Sequence, residues 1–152
     1  MAKPDFPALL QPGVHAMTIV QLHALAVAPF PLDLRRAELH RKFTTWAGTL
    51  HSTGVAGTLW VDGSFLTEKG GPDDIDCVLW NPGWANPPIA PTANALVQKI
   101  LEKAHAKSQF GIDLYIENTT PTNVFHREAY WKGVFGFAHD RITAKGFAEI
   151  SI

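Results

Sequence analysis

Cysteine is almost absent from this chain, in which Cys77 is the only one among 152 residues. A disulfide within the chain is therefore excluded, and a lone thiol inside an apolar run is typical of a small core residue in a reducing compartment. Long hydrophobic runs are also missing: no stretch of about 18 apolar residues occurs, and the N-terminus has no basic segment leading into an apolar stretch with a cleavage site. We expect a cytoplasmic protein that does not bind a membrane.

An excess of either charge is missing too, since 13 lysine and arginine residues stand against 14 aspartate and glutamate residues. The resulting net charge of -1 encodes no general attraction to nucleic acid or to an anionic membrane surface. With 46% hydrophobic residues the chain has the composition of a globular protein. Its length predicts a single domain over residues 1–152.

Several recurrent catalytic motifs are absent from the sequence. The seven histidines show no His-x-x-x-His spacing and there is no Cys-x-x-Cys pair, so a zinc site is not expected. Neither a Gly-x-Ser-x-Gly elbow, nor a phosphate-loop Gly-Lys-Ser/Thr, nor a Gly-x-Gly-x-x-Gly fingerprint occurs. These absences argue against a serine hydrolase and against a dinucleotide-binding enzyme.

The strongest chemical signal begins where a short apolar run ends. Residues 58–61 are β-rich and are followed by Gly63-Ser64, which is typical of a strand ending in a tight turn. Because Gly63 has no Cβ, a polyphosphate could approach the backbone closely there. The Ser64 hydroxyl and neighbouring amides could then donate hydrogen bonds to its oxygens. Asp62, which precedes the turn, is expected to brace its backbone rather than to bind metal.

A second predicted strand begins, after nine intervening residues, with Asp74-Ile75-Asp76. Side chains in a strand repeat every second residue, so the carboxylates of Asp74 and Asp76 fall on one face, whereas Asp73 is expected to be a loop carboxylate. Two carboxylates so close repel each other unless a divalent cation lies between them, and oxygen ligands with phosphate favour Mg²⁺. Asp113 interrupts another apolar run, over residues 111–116, where an unpaired charge would be costly unless it bound something.

These residues resemble a known signature. Gly63-Ser64, nine intervening residues and Asp74-hydrophobic-Asp76 are similar to the pattern of the DNA polymerase beta-type nucleotidyltransferase superfamily, which usually adds a third carboxylate on a later strand. Asp113 is the candidate for that third position. The chain resembles even more closely a group of short, uncharacterised bacterial nucleotidyltransferase-like proteins. This resemblance rests on residues 61–65, Thr67, Lys69, residues 72–76, Tyr130-Trp131 and residues 145–150.

The resemblance implies an enzyme that moves a nucleoside monophosphate from an NTP to a hydroxyl of a protein, an RNA or a small molecule. It implies Asp74, Asp76 and Asp113 as catalytic residues that hold two Mg²⁺ ions, or Mn²⁺ in their place. The alternative is a non-catalytic nucleotide-binding or antitoxin-like module that meets a partner protein in a toxin–antitoxin-type pair.

Gly63 and Ser64 are the candidate nucleotide-binding residues within the motif. Three basic residues are further candidates for the triphosphate because they lie in loops beside elements that carry or flank the motif: Lys69, Arg141 and Lys145. A solvated surface role is at least as common for such side chains.

The remaining patterns predict an α+β fold. Apolar residues within residues 32–52 recur at intervals of four, three and four, as in an amphipathic helix with one buried stripe: Leu39, Phe43, Trp46 and Leu50. Its opposite side, which includes Arg36 and His40, is expected to be a solvated face; the alternative is that this basic side binds phosphates of a substrate. The other predicted elements are an extended N-terminal arm over residues 1–16, a helix from Thr18 to Ala26, a surface loop from Trp80 to Thr92, a helix over residues 93–107, a helix over residues 123–135 with a bulky buried side, and a strand over residues 146–152. We expect a small mixed β-sheet with helices mainly on one face, like the palm of nucleotidyltransferases.

Overall fold

The computed structural model describes residues 3–85 and 91–152, which form one five-stranded mixed sheet with five α-helices. The strands are β1 (Gly13–Ala16), β2 (Val55–Asp62), β3 (Ile75–Trp84), β4 (Ile112–Glu117) and β5 (Gly146–Ser151). The helices are α1 (Ile19–Ala26), α2 (Leu34–Ser52), α3 (Pro91–Ile100), α4 (Lys103–Phe110) and α5 (Val124–Phe135), and a 3-10 helix covers Ser64–Leu66. The predicted α+β class is confirmed. Within the described residues, no helix combines the length and the apolar character needed to cross a membrane.

The sheet order is β1-β5-β2-β3-β4. β2 is antiparallel to both of its neighbours, β3 and β5, whereas β4 runs parallel to β3. Consequently the C-terminal end of β2 lies beside the N-terminal ends of β3 and β4. Asp62 lies opposite Asp76, and Asp76 lies opposite Asp113, so three carboxylates form a row across these strands.

Most of the core lies between one face of the sheet and helices α1 to α4. The predicted apolar stripe of α2 is confirmed, because its four residues are fully buried: Leu39, Phe43, Trp46 and Leu50. They belong to one cluster with strand residues such as Leu59 and Cys77. The Trp46 indole donates to the carbonyl oxygen of Ile100 at 2.9 Å, which ties α2 to α3. Helices therefore cover mainly one face, as expected.

The other face of the sheet is covered by α5. An aromatic cluster joins the two elements and consists of Trp60, Val78, Trp80, Trp131, Phe135 and Phe147. The bulky buried side predicted for this helix is confirmed at Trp131 and Phe135, whereas Phe125 and Tyr130 are exposed. The row of aspartates lies on this same face of the sheet, because side chains on one strand repeat with a period of two residues.

The predicted surface loop from Trp80 to Thr92 is wrong in its first part. β3 continues to Trp84 and stays paired with β2 through a register shift between Ala56 and Thr58. Asn81 has a φ of +49° within this irregular stretch, and its side-chain oxygen accepts a hydrogen bond from the backbone of Thr119 at 2.7 Å. This bulge explains how β3 can contain Pro82, since a proline cannot donate a hydrogen bond in regular strand pairing. Residues 86–90 of the predicted loop lie outside the described residues.

The single helix predicted over residues 93–107 is instead two helices. Glu102 has extended backbone angles and separates α3 from α4. The apolar pattern runs through the break, so periodicity did not reveal it. After the break, α4 packs against β4, which brings Lys103 and Lys107 to the acidic row.

The end of the predicted N-terminal arm, residues 13–16, is a strand rather than an irregular segment. β1 pairs in parallel with β5, and Gly13 lies opposite Gly146. Gly146 packs so closely beneath the arm that an added Cβ would clash with the carbonyl oxygen of Gln11. A local pattern could not predict β1, because its partner is at the other end of the chain.

Candidate metal and nucleotide site

The Gly63-Ser64 turn sits directly on the carboxylate of Asp76. Gly63 has a φ of +90°, and a Cβ added to it would lie 2.5 Å from Oδ2 of Asp76. Both the backbone conformation and the lack of space therefore require glycine. The turn continues into the short 3-10 helix, where the Thr67 hydroxyl donates to the Ser64 carbonyl oxygen at 2.8 Å.

Three carboxylates converge beside this turn. Oxygen atoms of Asp74, Asp76 and Asp113 all lie within 4.8 Å of one another. Asp76 and Asp113 are opposite residues of the parallel pair β3 and β4, and Asp74 immediately precedes β3. A set of carboxylate oxygens this close suits a hard divalent cation such as Mg²⁺.

The electrostatics of the triplet favour a cation. Burial, followed by repulsion from Asp74 and Asp113, raises the pKa of Asp76 to about 6. Two lysines of α4 partly offset the negative charge: Lys107 contacts the carboxylate of Asp74, and the ammonium of Lys103 lies 2.9 Å from Asp113. Asp76 has no lysine contact of this kind among the described residues.

Asp62 and Lys145 form a buried ion pair next to the triplet. The Lys145 ammonium donates to both carboxylate oxygens of Asp62 at 2.6 Å. Burial raises the pKa of Asp62 to about 7, although Lys145 and the Gly63 amide act in the opposite direction. The bracing role expected for Asp62 stays a prediction, and the 83-residue separation from Lys145 left no local signal for the ion pair.

A cavity of about 540 Å³ opens over these groups. All eight residues singled out from the sequence line it: Gly63, Ser64, Lys69, Asp74, Asp76, Asp113, Arg141 and Lys145. The Lys69 ammonium lies 3.7 Å from the exposed carboxylate of Asp73. Arg141 has a φ of +63°, an uncommon conformation for a residue with a side chain, in the loop after α5.

Several lining residues were not predicted from the sequence. Lys107 comes from α4, Val134 and Phe135 come from the end of α5, and others come from the N-terminal arm and from the segment that follows α5, hereafter the 136–145 hairpin. Asp5 joins these two segments, because its carboxylate accepts hydrogen bonds from the backbone N–H of His139 at 2.8 Å and from its Nδ1 at 3.0 Å. The proline-rich sequence predicts an arm over the domain but does not indicate its contacts.

Arg36 holds the loop that follows the Gly-Ser turn. This side chain is fully buried and donates to the carbonyl oxygens of Phe65 and Lys69, both at 2.7 Å. It also donates to Thr67 in the same loop and to Ala26 at the end of α1. The prediction of a solvated face for α2 is thus wrong at Arg36.

The same prediction is wrong at His40, which is buried on α2. Its Nε2 lies 2.9 Å from the carbonyl oxygen of Ile19. A pattern of apolar residues shows which stripe of a helix is buried, but not which polar residues at its margin find partners.

Comparison with known proteins gives a family without a function. No curated protein and no solved structure matches the chain. One family model matches residues 4–151, a range that includes all eight candidate residues named above. The chain therefore belongs to the family described as a family of unknown function, DUF6932.

Proposed function

We propose that this protein is a metal-dependent nucleotidyltransferase, which moves a nucleoside monophosphate from an NTP to a hydroxyl of a protein, an RNA or a small molecule. One observation carries the proposal: the oxygens of Asp74, Asp76 and Asp113 lie within 4.8 Å of one another, directly beside the Gly63-Ser64 turn. The turn and the carboxylates are the two parts that such a transfer needs, and they share one cavity.

The chemistry follows from the groups at hand. Asp74, Asp76 and Asp113 would hold two Mg²⁺ or Mn²⁺ ions, which polarise the phosphates and lower the pKa of the acceptor hydroxyl. Ser64 and the amides of its turn would donate to the triphosphate oxygens. The acceptor oxygen forms a bond to the α-phosphorus, the bond to the oxygen bridging the α- and β-phosphorus atoms breaks, and pyrophosphate leaves with that electron pair. The hydroxyl proton passes to solvent.

The charge of the cavity makes this binding metal-dependent. Its lining includes six aspartates and five lysine or arginine residues among the described residues. A triphosphate therefore meets no net positive charge, and the acidic triplet repels it. Divalent cations reverse the sign of the local charge, which is why we expect NTP and metal to bind together.

The proposal also places the reaction in the cytoplasm, because Cys77 is the only cysteine and NTPs are the substrate.

A non-catalytic nucleotide-binding or antitoxin-like module is the second candidate, and one observation favours it. Lys107 and Lys103 contact Asp74 and Asp113, so two of the three carboxylates have partners without a metal ion. In such a module the cavity would hold a nucleotide, or face a partner protein, without turnover.

The test uses NTPs that carry a radioactive label at the α-phosphate or at the γ-phosphate. The protein, Mg²⁺ and each NTP are incubated with a lysate, and label is then measured in protein, RNA and small molecules. Nucleotidyl transfer puts the α-label in an acceptor and the γ-label in pyrophosphate. Asp76→Asn should abolish transfer, whereas Glu38→Gln, which neutralises an exposed carboxylate on α2 that does not line the cavity, should not. Bound NTP with no α-label in any fraction would favour the module.

A further inference from the structure

The cavity has a second kind of lining beside its charged groups. Its apolar residues come from the N-terminal arm, from the end of α5 and from the 136–145 hairpin: Pro4, Phe6, Val134, Phe135, Phe137 and Ala138. None of them belongs to the Gly-Ser and aspartate signature. A triphosphate alone would not need this apolar wall, because phosphate oxygens are recognised by charge and hydrogen bonds.

The arm that carries Phe6 is fixed to the loop after the Gly-Ser turn. The Pro7 carbonyl oxygen accepts a hydrogen bond from the Glu68 N–H at 2.9 Å, and the Leu9 N–H donates to the Leu66 carbonyl oxygen at 2.9 Å. Its other end is fixed by Asp5, which contacts His139 through the two hydrogen bonds described above. The arm thus spans the cavity from the predicted phosphate-binding turn to the 136–145 hairpin.

The 136–145 hairpin carries both the aromatic ring of Phe137 and the ammonium group of Lys145, which belongs to the charged part of the cavity. Phe137 forms a β-bridge with Ala144, and the next residue, Lys145, pairs with the Asp62 carboxylate at 2.6 Å. The Lys145 N–H also donates to the Gly136 carbonyl oxygen at 2.8 Å. The apolar wall therefore begins directly beside the charged end of the cavity.

Two rings of this wall are open to a ligand. Phe6 is 39% exposed and Phe137 is 38% exposed, whereas Phe135 of the same wall is only 3% exposed and belongs to the aromatic cluster of the core. Aromatic rings that face a cavity offer planar surfaces on which a flat heterocycle can stack. The volume of about 540 Å³ is that of a small-molecule site rather than of a protein interface.

We propose that Phe6 and Phe137 hold the nucleobase of the NTP, so that the N-terminal arm and the 136–145 hairpin form the nucleoside half of the binding site. This inference rests on the proposed function, because it assumes that a triphosphate occupies the charged end. The Asp5–His139 contact keeps the two halves of the wall together and positions the arm. Phe6 and Phe137 are the residues that contact the base.

The experiment compares NTPs with inorganic tripolyphosphate, both with Mg²⁺, by calorimetric titration of the full chain. Phe6→Ala and Phe137→Ala should each weaken NTP binding roughly tenfold, since stacking of one base on one ring has about that value, and should leave tripolyphosphate binding unchanged. Phe137→Trp should retain NTP binding. Phe125→Ala is the matched control, because Phe125 is 75% exposed on α5 and does not line the cavity. Asp5→Ala should lower the affinity for NTP relative to that for tripolyphosphate, because the arm loses its contact with His139.

The outcomes separate the two proposals. If neither ligand binds the unaltered protein in the presence of Mg²⁺, the proposed function fails. If tripolyphosphate binds and the two alanine variants bind NTP as well as the unaltered protein does, the proposed function stands and the base site is overturned. Equal losses for NTP and tripolyphosphate would also overturn it, because they would show a general change in the cavity. The unfolding temperature of each ligand-free variant identifies any loss that comes from misfolding.

Discussion

The ammonium group of Lys107, in the last turn of α4, contacts the carboxylate of Asp74 at the mouth of the acidic triplet. A metal ion bound to Asp74 must displace this lysine or share the carboxylate with it. We therefore predict that Lys107→Met tightens the binding of Mg²⁺ alone by about two- to fivefold, the range expected for a partly exposed ion pair. Titration of the nucleotide-free protein with Mg²⁺, followed by calorimetry, measures the change.

Lys99→Met is the control for that experiment. Lys99 also forms an exposed ion pair, with Glu102 at 3.1 Å, but it does not line the cavity. It should leave the affinity for Mg²⁺ unchanged. Weaker Mg²⁺ binding in the Lys107 variant would show that this lysine supports the metal site instead of competing with the ion.

A second prediction concerns pH. Burial and repulsion from Asp74 and Asp113 raise the pKa of Asp76 to about 6, and only the ionised carboxylate is a good metal ligand. The affinity for Mg²⁺ should thus rise as the pH is raised through about 6 and level off above it. Calorimetric titrations from about pH 5 to about pH 8 would reveal the midpoint. Glu38→Gln, which neutralises a carboxylate outside the cavity, should preserve this profile, and an affinity that does not change across the range would contradict the prediction.

The stability of the metal-free protein should depend on pH in the opposite direction. Because the folded-state pKa of Asp76 lies above its ordinary value of 3.8, the folded protein binds more protons than the unfolded chain between these two values. The free energy of unfolding therefore falls as the pH rises through this window. Asp76→Asn should flatten the fall, which chemical denaturation at each pH can measure.

A third prediction follows from the contact between Gly63 and Asp76. Gly63→Ala would force a Cβ to within 2.5 Å of the Asp76 carboxylate in a backbone conformation that disfavours side chains. We expect a loss of about 1–3 kcal/mol in the free energy of unfolding, together with a loss of Mg²⁺ binding as Asp76 is displaced. Gly70→Ala is the matched control, since an added Cβ there meets nothing within 4 Å. Equal stability of the two variants would contradict the geometry of the turn.

Arg36 supplies a fourth prediction. Replacing it with methionine leaves the carbonyl oxygens of Phe65, Thr67 and Lys69 without their buried donor. The expected cost is about 3 kcal/mol or more in the free energy of unfolding, because buried polar groups lose their partners. Denaturant unfolding of this variant should be compared with that of Arg41→Met, an exposed arginine on the same helix. Similar midpoints for both variants would show that the loop does not need Arg36.

The acidic triplet could be predicted because its signals are local. The spacing of Asp74 and Asp76 follows the period of a strand, and Asp113 stands out as a charge within an apolar run. The Gly63-Ser64 turn is equally local, because a Gly-Ser pair after a short apolar run indicates a strand that ends in a tight turn. The sequence did not reveal that the space beside Gly63 is occupied by the carboxylate of Asp76. The structure brings all of these residues together.

The contacts that complete the cavity could not be predicted, because they join distant parts of the chain. Asp62 is 83 residues from Lys145, and Asp5 is 134 residues from His139. Arg36 resembled a surface residue because the helix pattern distinguishes apolar from polar positions, but not a solvated arginine from one that binds buried carbonyl groups. The interruption at Glu102 was hidden for a related reason, since α3 and α4 share a continuous apolar pattern.

Cys77 lies between Asp76 and Val78 on β3, with its thiol on the opposite face of the sheet from the carboxylates, inside the main core. Burial raises the pKa of this thiol well above its ordinary range, so a thiol reagent can react only when β3 opens. The chain thus contains a reporter of local opening at the strand that carries the proposed metal ligand Asp76. Mg²⁺ bound at Asp76 should slow the alkylation of Cys77, and the factor by which it does so measures how much the ion stabilises the strand.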